Sequence, residues 1–383
     1  MSKATIVIPN INGKGWLKDS IESIYAQTEQ DFDLIVVDNG STDESLEQAR
    51  SYCTRPNFTL IENGRNTGFS YAVNQGIARA QSKYVVLFNN DAFAEPQWLA
   101  ELLRTADADP KIFAVQSLMI RHFERELADD AGDYVTWMGF ACKTGDGRRA
   151  SRYTKQKRIF SACGGAALYR KSILDEIGGF DERFAPAYCE DSDLAFEVRK
   201  AGYRVVYQPL SKVIHFEGVS NGTDVQGSGL KRYQVVNNKK LREKWAAELA
   251  CQCENNGNPD PFRARERSMG KKIILVVDHY VPTYDRDAGS KTTFQYLKMF
   301  LKKGYVVKFL GDNFLHEEPY STTLQQMGIE ILYGPEYQVG IWDWLKDHGD
   351  DIAIAYLNRP HIASKYIDFI KENTNIKVIY YGH

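Results

Sequence analysis

Five apolar or aromatic residues, Tyr84-Val85-Val86-Leu87-Phe88, end abruptly in Asn89-Asn90-Asp91. A run of that kind predicts a strand buried on both faces, as inside a parallel sheet. Residues 4–9, 32–37 and 59–62 repeat the pattern. Between the runs, Leu17, Ile21, Ile24 and Tyr25, and then Ala72, Val73, Ile77 and Ala78, fall at helical spacing. Ser41 and Glu44 fit a capping box opening a helix over 44–52. Further on, the pattern predicts a helix from 98 to 103, a strand over 113–120, a helix over 194–201, short strands over 204–208 and 212–216, and a helix over 233–249. Residues 121–158 are charged and without period, which predicts a long functional loop region. The alternation as a whole predicts an α/β fold with a mainly parallel sheet and flanking helices.

The stretch Glu254-Asn255-Asn256-Gly257-Asn258-Pro259-Asp260-Pro261 breaks this rhythm and predicts a linker, set at 251–271. It separates a domain over 1–250 from one over 272–383, as a chain of 383 residues calls for. In the second domain strands are expected at 273–277, 306–310, 329–332, 352–356 and 377–381, with a helix over 292–302. This predicts a smaller Rossmann-like α/β domain. Its end directly after a strand suggests a fragment of a longer protein.

Composition narrows the classes. The chain is 43% hydrophobic and 26% charged, with formal net charge −2, so no global field favours nucleic acid. Basic clusters run from Lys143 to Arg158 and through Lys231, Arg232, Lys239, Lys240, Arg242 and Lys244. They are either solvated faces or contacts for phosphates or an anionic membrane surface. The six cysteines have no C-x-x-C spacing, which points to reduced thiols and a cytoplasmic setting. Met1 to Thr5 enters a strand at once, leaving no room for a signal peptide. No apolar run approaches the roughly 20 residues of a membrane span, so any membrane contact is peripheral, at the inner face. The first turn, Pro9-Asn10-Ile11-Asn12-Gly13, has no G-x-G-x-x-G, and Ser290 occupies the glycine position a P-loop would need.

The candidate chemistry sits at strand ends and loop-to-helix joints: Asp38, the Asn89-Asn90-Asp91 triplet, the acids from Glu190 to Asp193, and His215. An aspartate at the carboxyl end of a strand can hold a hard cation, and a diphosphate-bound ion needs few protein ligands. Asp91 with His215 suits manganese or magnesium. The bland alternatives are a turn for the triplet, a half-buried strand histidine for His215, and N-capping for Asp191 and Asp193. A capping role would lower the carboxyl pKa. Gly164-Gly165 lies where a backbone could approach a ligand closely.

Taken in order, Thr5-Ile6-Val7-Ile8-Pro9-Asn10, Val36-Val37-Asp38-Asn39-Gly40-Ser41-Thr42-Asp43, Asn66-Thr67-Gly68-Phe69, Asn89-Asn90-Asp91, Gly179-Phe180-Asp181-Glu182 and Glu190-Asp191 resemble family 2 glycosyltransferases of the GT-A fold, bacterial rhamnosyltransferase-like members above all. The resemblance implies inverting transfer of a sugar from a UDP- or dTDP-linked donor, dTDP-rhamnose among them, to a hydroxyl of a growing surface glycan or lipid-linked glycan. It implies that Pro9, Asn10 and Asp38 line the nucleoside pocket, with Asp38 accepting from a pyrimidine N3–H. Asn12, Asn66, Gly68, Asn89 and Asn90 would border the donor, and Asp91 and His215 would hold Mn2+ or Mg2+. Asp191 would be the catalytic base, with Gly164, Gly165, Glu190 and Asp193 on the acceptor side. Asn89 departs from the family, where many relatives have aspartate, and weakens the expected hold on metal. Asp287-Ala288-Gly289-Ser290 and the following helix resemble the start of the acceptor-side domain of GT-B glycosyltransferases. Two other readings remain. One is a non-catalytic binding scaffold of a polysaccharide assembly complex. The other is a nucleotidyltransferase, which should carry a glycine-rich basic first loop where this chain has one lysine, Lys14, and two glycines, Gly13 and Gly15.

Overall fold

The computed structural model describes residues 1–216, 232–254 and 261–382. Lys231 of the second basic cluster, the 255–260 part of the expected linker and His383 lie outside the described residues. The chain divides into two compact units, Met1–Tyr153 with Arg158–Pro261, and Thr154–Lys157 with Phe262–His383.

From the amino terminus, β1 (Ala4–Asn10), α1 (Leu17–Tyr25), β2 (Phe32–Asp38), α2 (Ser45–Arg50), β3 (Phe58–Glu62), α3 (Phe69–Arg79) and β4 (Tyr84–Phe88) alternate. Then come β5 (Ala92–Ala94), α4 (Trp98–Asp107), β6 (Ile112–Arg121), β7 (Ala128–Asp130), β8 (Asp133–Val135), β9 (Ala141–Lys143), β10 (Lys157–Ile159) and β11 (Ala166–Arg170). After these follow α5 (Lys171–Ile177), α6 (Glu190–Lys200), β12 (Arg204–His215), α7 (Tyr233–Lys244) and α8 (Ala246–Ala250). Strand order is β10-β12-β6-β11-β4-β1-β2-β3, with β5 on β12 and β7 on β6.

Every residue of β4 is buried because helices cover both faces of the sheet. Tyr84, Val86 and Phe88 join a core with Leu17, Ile21 and Ile24 of α1 and Leu99 and Leu102 of α4. Val85 and Leu87 point the other way, to Ala72, Val73 and Ile77 of α3. Each such aliphatic side chain contributes about 1.5–3 kcal/mol by leaving water. The β1–β4 and β1–β2–β3 pairs are parallel, whereas β11 runs antiparallel to both β4 and β6.

Several local expectations are corrected. Ser41 does not cap a helix: its hydroxyl donates to Asp38 Oδ1 at 2.5 Å, and α2 begins only at Ser45 with no side-chain cap. The Ser41 oxygen already accepts from the Asn12 N–H at 3.0 Å and from Asn10 Nδ2 at 3.2 Å, which leaves it no lone pair for a helix N–H. The supposed loop over 121–158 is threaded with short strands, β7 pairing β6 and β8 pairing β9. The two strands expected over 204–216 are one, β12, with an irregularity between Gln208 and Lys212. The helix over 233–249 divides at Trp245, whose indole N–H donates to Asp193 Oδ1 at 2.7 Å.

In the second unit, α9 (Phe262–Glu266) precedes β13 (Ile273–Asp278), α10 (Ala288–Lys302), β14 (Val306–Gly311), α11 (Tyr320–Gln326), β15 (Glu330–Leu332), α12 (Pro335–Asp347), β16 (Ile352–Asn358), α13 (Pro360–Asn373) and β17 (Lys377–Tyr381). The order β15-β14-β13-β16-β17, all parallel, is a doubly wound Rossmann-like sheet. Helix α10 starts earlier than its apolar period suggests, because Asp287 caps it by accepting from the Ser290 N–H at 2.7 Å. Among the described residues, no helix is long and apolar enough to cross a membrane. All six cysteines are free thiols.

Candidate active site

The carboxyl ends of β1, β2 and β4 carry a continuous polar network. Register places Asn10 beside Asp38, and Asn10 Nδ2 donates to Asp38 Oδ1 at 3.0 Å. Asn90 Nδ2 donates in turn to Asn10 Oδ1 at 2.8 Å. Gly13 leaves room for this pair, since a Cβ there would lie 2.5 Å from Asn10 Oδ1 and 2.6 Å from Asn90 Nδ2 and would displace them. Asp38 is buried, and its oxygens also accept from the N–H groups of Gly40 and Ser41. It thus holds the loop after β2, and a base N–H would have to displace one of these partners. Pro9 lies half-buried one residue before Asn10, while exposed Asn12 accepts from the Thr42 N–H at 2.8 Å. Asn39 ties the next loop down, donating to Asn66 Oδ1 and to the Gly68 carbonyl. Gly68 has φ 88° and sits against Pro186, so a side chain there would be strained and crowded.

A second cluster forms where β5 pairs antiparallel with the end of β12, His215 opposite Ala92. That register sets Asp91 beside the imidazole, with Asp91 Oδ1 3.4 Å from His215 Nε2. Asn89 Nδ2 lies 3.3 Å from the same nitrogen. The other ring nitrogen, Nδ1, is 2.8 Å from Asp129 Oδ2, and Asp129 Oδ1 is paired with Lys143 at 2.5 Å. Burial opposes the charge of Asp129, but His215 and Lys143 hold its carboxyl well below the usual range. Burial would likewise lower His215, yet the hydrogen bonds to Asp129 and Asp91 outweigh it and raise the ring to about 9. Asp129 was not among the expected site residues. It lies in the stretch read as loop, where the acids of Asp129-Asp130-Ala131-Gly132-Asp133 were the available signal.

Among the described residues no group of three His, Cys, Asp or Glu side chains is arranged to hold a metal ion by itself, here or elsewhere. The donor set on offer is one carboxylate and one imidazole, with an amide alongside, and a cation would have to displace the Nε2 proton of His215 to use the ring. It fits a manganese or magnesium ion whose remaining positions are filled by diphosphate oxygens and water.

Gly164 and Gly165 join this cluster to the acids of α6. The Gly165 carbonyl accepts from the Asn89 N–H at 2.9 Å, and the Gly164 N–H donates to Asp191 Oδ2 at 3.1 Å. A Cβ on Gly165 would meet Asn89 Nδ2 at 2.9 Å, and one on Gly164 would meet the Phe69 ring at 3.0 Å and Asp191 Oδ1 at 3.2 Å. The close approach expected at these glycines is therefore made by Asn89 and Asp191.

Glu190 and Asp191 occupy the first turn of α6 and are not its caps. The capping position is Cys189, with φ 75° and no side-chain capping bond. Asn237 of α7 fixes the loop just before it, its Nδ2 donating to the carbonyls of Phe184, Ala187 and Tyr188. Burial pushes the Asp191 carboxyl up to about 7 against the Gly164 bond, and Asp130 adds to the rise. Glu190 reaches about 8 through burial and the charge of Asp191. The expectation of a capping-type lowering is thus reversed. Among the described residues, Asp191 Oδ1 and Glu190 Oε2 are buried atoms without a hydrogen-bond partner. Asp193 does not join them: Lys244 and Trp245 hold its carboxylate between α6 and α7. Beside Asp191 opens a cleft of about 580 Å3, lined among others by Asp130, Asp133, Tyr134, Lys143, Tyr188 and Glu190.

Comparison with known proteins bears on the first of the two units. Residues 5–178 match the model of "Glycosyl transferase family 2". They form a family 2 glycosyltransferase domain. The chain is 29% identical over 232 residues to the N-acetylglucosaminyl-diphospho-decaprenol L-rhamnosyltransferase of Mycobacterium tuberculosis, covering 54% of this chain and 74% of that protein. To the O-antigen biosynthesis protein RfbC of Myxococcus xanthus it is 28% identical over 236 residues, 58% of this chain but only 18% of the relative. Among solved structures, GalNAc-T7 crystallised with UDP, GalNAc and Mn2+ superposes with TM-score 0.54 at 16% identity, over 65% of this chain and 49% of the other. That likeness gives the glycosyltransferase domain the GT-A fold.

Proposed function

We propose that the glycosyltransferase domain moves a sugar, with inversion, from a UDP- or dTDP-linked donor to a hydroxyl of a lipid-linked or growing surface glycan. The observation that carries this reading is the Gly164–Gly165 bridge, which holds the half-buried Asp191 carboxylate on one side and the Asn89-Asn90-Asp91 triplet on the other. Similarity to the mycobacterial rhamnosyltransferase favours dTDP-rhamnose as donor and a prenyl diphosphate-linked sugar as acceptor.

In this reading Asp191 Oδ1, which has no hydrogen-bond partner among the described residues, accepts the proton of an acceptor hydroxyl in the adjoining cleft. The hydroxyl oxygen bonds to the anomeric carbon from the face opposite the nucleotide, and the breaking C–O bond leaves its electron pair on the diphosphate. A carboxyl near 7 is more basic than an ordinary aspartate and still substantially ionised at neutral pH, as a general base requires. Asp91 and His215 would hold a divalent cation, with Asp129 fixing the ring through Nδ1. When bound, such an ion supplies neutralisation of charge on the departing diphosphate. Asn10, Asn90 and Asp38 shape the nucleoside end, and Asp193 serves as an anchor of α6.

Replacing Asp191 by Asn tests the assignment. Transfer should fall about 10²–10⁴-fold, while donor binding by calorimetry stays within a small factor of the parent. Near-normal turnover would remove Asp191 as the base. A scaffold that only binds nucleotide sugar, the reading favoured by Asn89 in place of an acid, would instead show donor binding and no transfer in the parent protein.

A further inference from the structure

The outward face of α7 is built the wrong way round for a helix that merely covers a core. Its buried positions include two amides, Asn237 and Asn238, whereas Val235 and Val236 are 46% and 48% exposed. Exposed Arg232, Lys239 and Arg242 flank the valines at the spacing of one helical face. None of these three cations has a carboxylate partner among the described residues, and Glu243 is the only acid of the helix.

The turn over 136–140 lies against the same helix. A Cβ on Gly139 would touch Arg242 Cγ at 3.0 Å and Asn238 Nδ2 at 3.3 Å. That turn presents Trp137 and Met138, 47% and 37% exposed. Trp, Met and two valines, bordered by cations that no carboxylate among the described residues neutralises, form an apolar patch with a positive border. Exposed indole and aliphatic groups partition into the headgroup region of a bilayer, and lysine and arginine beside them are attracted to anionic lipid. A protein partner of matching acidity would answer the cations but would not require an exposed tryptophan beside them.

The patch is continuous with the acceptor cleft. Phe140 and Gln234, which line that cleft, are the immediate neighbours of Met138–Gly139 and of Val235. Asn237, on the inner side of α7, pins the loop that leads into Glu190 and Asp191.

We infer that the face formed by Trp137, Met138, Val235 and Val236, with Arg232, Lys239 and Arg242, seats the glycosyltransferase domain on an anionic lipid surface beside its acceptor cleft. The orientation rests on the proposed reaction, since it lets a lipid-linked acceptor reach Asp191 without leaving the bilayer. Membrane seating itself is measured without any transfer assay, so the two readings fail separately.

The test is sedimentation of the full chain with vesicles of neutral phosphatidylcholine, and of the same lipid with phosphatidylglycerol added. Binding to the anionic vesicles, weakened by salt, is expected. The double variant Lys239→Gln, Arg242→Gln should weaken it about thirtyfold, at roughly 1 kcal/mol per cation. The variant Val235→Ser, Val236→Ser should weaken it on neutral and anionic vesicles alike. Circular dichroism melting of each variant serves as the folding check, and because all four side chains are exposed the melts should match the parent. No vesicle binding by the parent, equal binding to both vesicle types, or unchanged binding by folded variants would each overturn the inference.

Discussion

Glu190 and Asp191 are neighbours in one helical turn, yet their geometry gives them different tasks. Asp191 has one oxygen held by Gly164 and one unpartnered, whereas Glu190 is buried with Oε2 unpartnered. A base that titrates near 7 must be ionised to work, so transfer should rise with pH through about 7 and fall tenfold per pH unit below it. A rate profile flat from pH 5 to 8 would contradict that role. Stability should move in the opposite sense. Glu190 binds its proton more tightly folded than unfolded, so its contribution is complete below the unfolded value of about 4.3 and is lost as pH rises through about 8. Glu190→Gln should therefore be stabilised relative to the parent by roughly 2–4 kcal/mol at pH 9 compared with pH 4. Each tenfold difference in proton affinity between the folded and unfolded chains is worth about 1.4 kcal/mol, and water reaching the ionised site offsets part of the total. Parallel denaturant titrations at the two pH values measure this, and an unchanged difference between variant and parent would refute it.

At the scale of elements, the parallel half of the sheet was legible because its strands are continuous apolar runs between helices of clear period. Tyr84–Phe88 is buried throughout, as such a run predicts. The reversal at β11 was not legible, because its direction is set by the neighbours it joins and not by its own side chains. The ends of the strands told of polar chemistry, but not which of it converges. Asp91 and His215 meet through the register of β5 on β12, and Asp129 reaches His215 because β7 folds back on β6. Three-residue strands such as β5 and β7 are too short for an alternating pattern to emerge. In the proposed reaction their pairing nevertheless makes Asp129 a positioning residue for His215. Asp129→Asn keeps the size of the side chain but weakens the hold on His215 Nδ1, and should reduce manganese-dependent donor affinity about 10–100-fold. Donor affinity measured in chelator should barely change, and an equal loss with and without metal would mean that the substitution had only disturbed packing.

At the scale of the whole molecule, the units have separate hydrophobic cores. The first is organised on Val86, Phe88 and their neighbours on one sheet face and on Val85 and Leu87 on the other. The second is built on Ile273, Leu275 and Val277 towards α12 and α13, and on Ile274 and Val276 towards α10 and α11. Its switch point between β13 and β16 is occupied by its own polar groups, Asp278 accepting from Asn358, Thr293 and Arg359. The proposed donor chemistry thus belongs wholly to the first unit. Calorimetric unfolding should resolve two transitions. A nucleoside diphosphate at a hundred times its dissociation constant, with manganese, adds about 2.7 kcal/mol to the state that binds it. For a domain of this size that is roughly 5–10 °C, and it should appear in one transition alone. The transition of the second unit should stay in place with or without nucleotide. A single peak moving as a whole, or movement of both, would show that the second unit shares in donor binding and would reopen its role in the reaction.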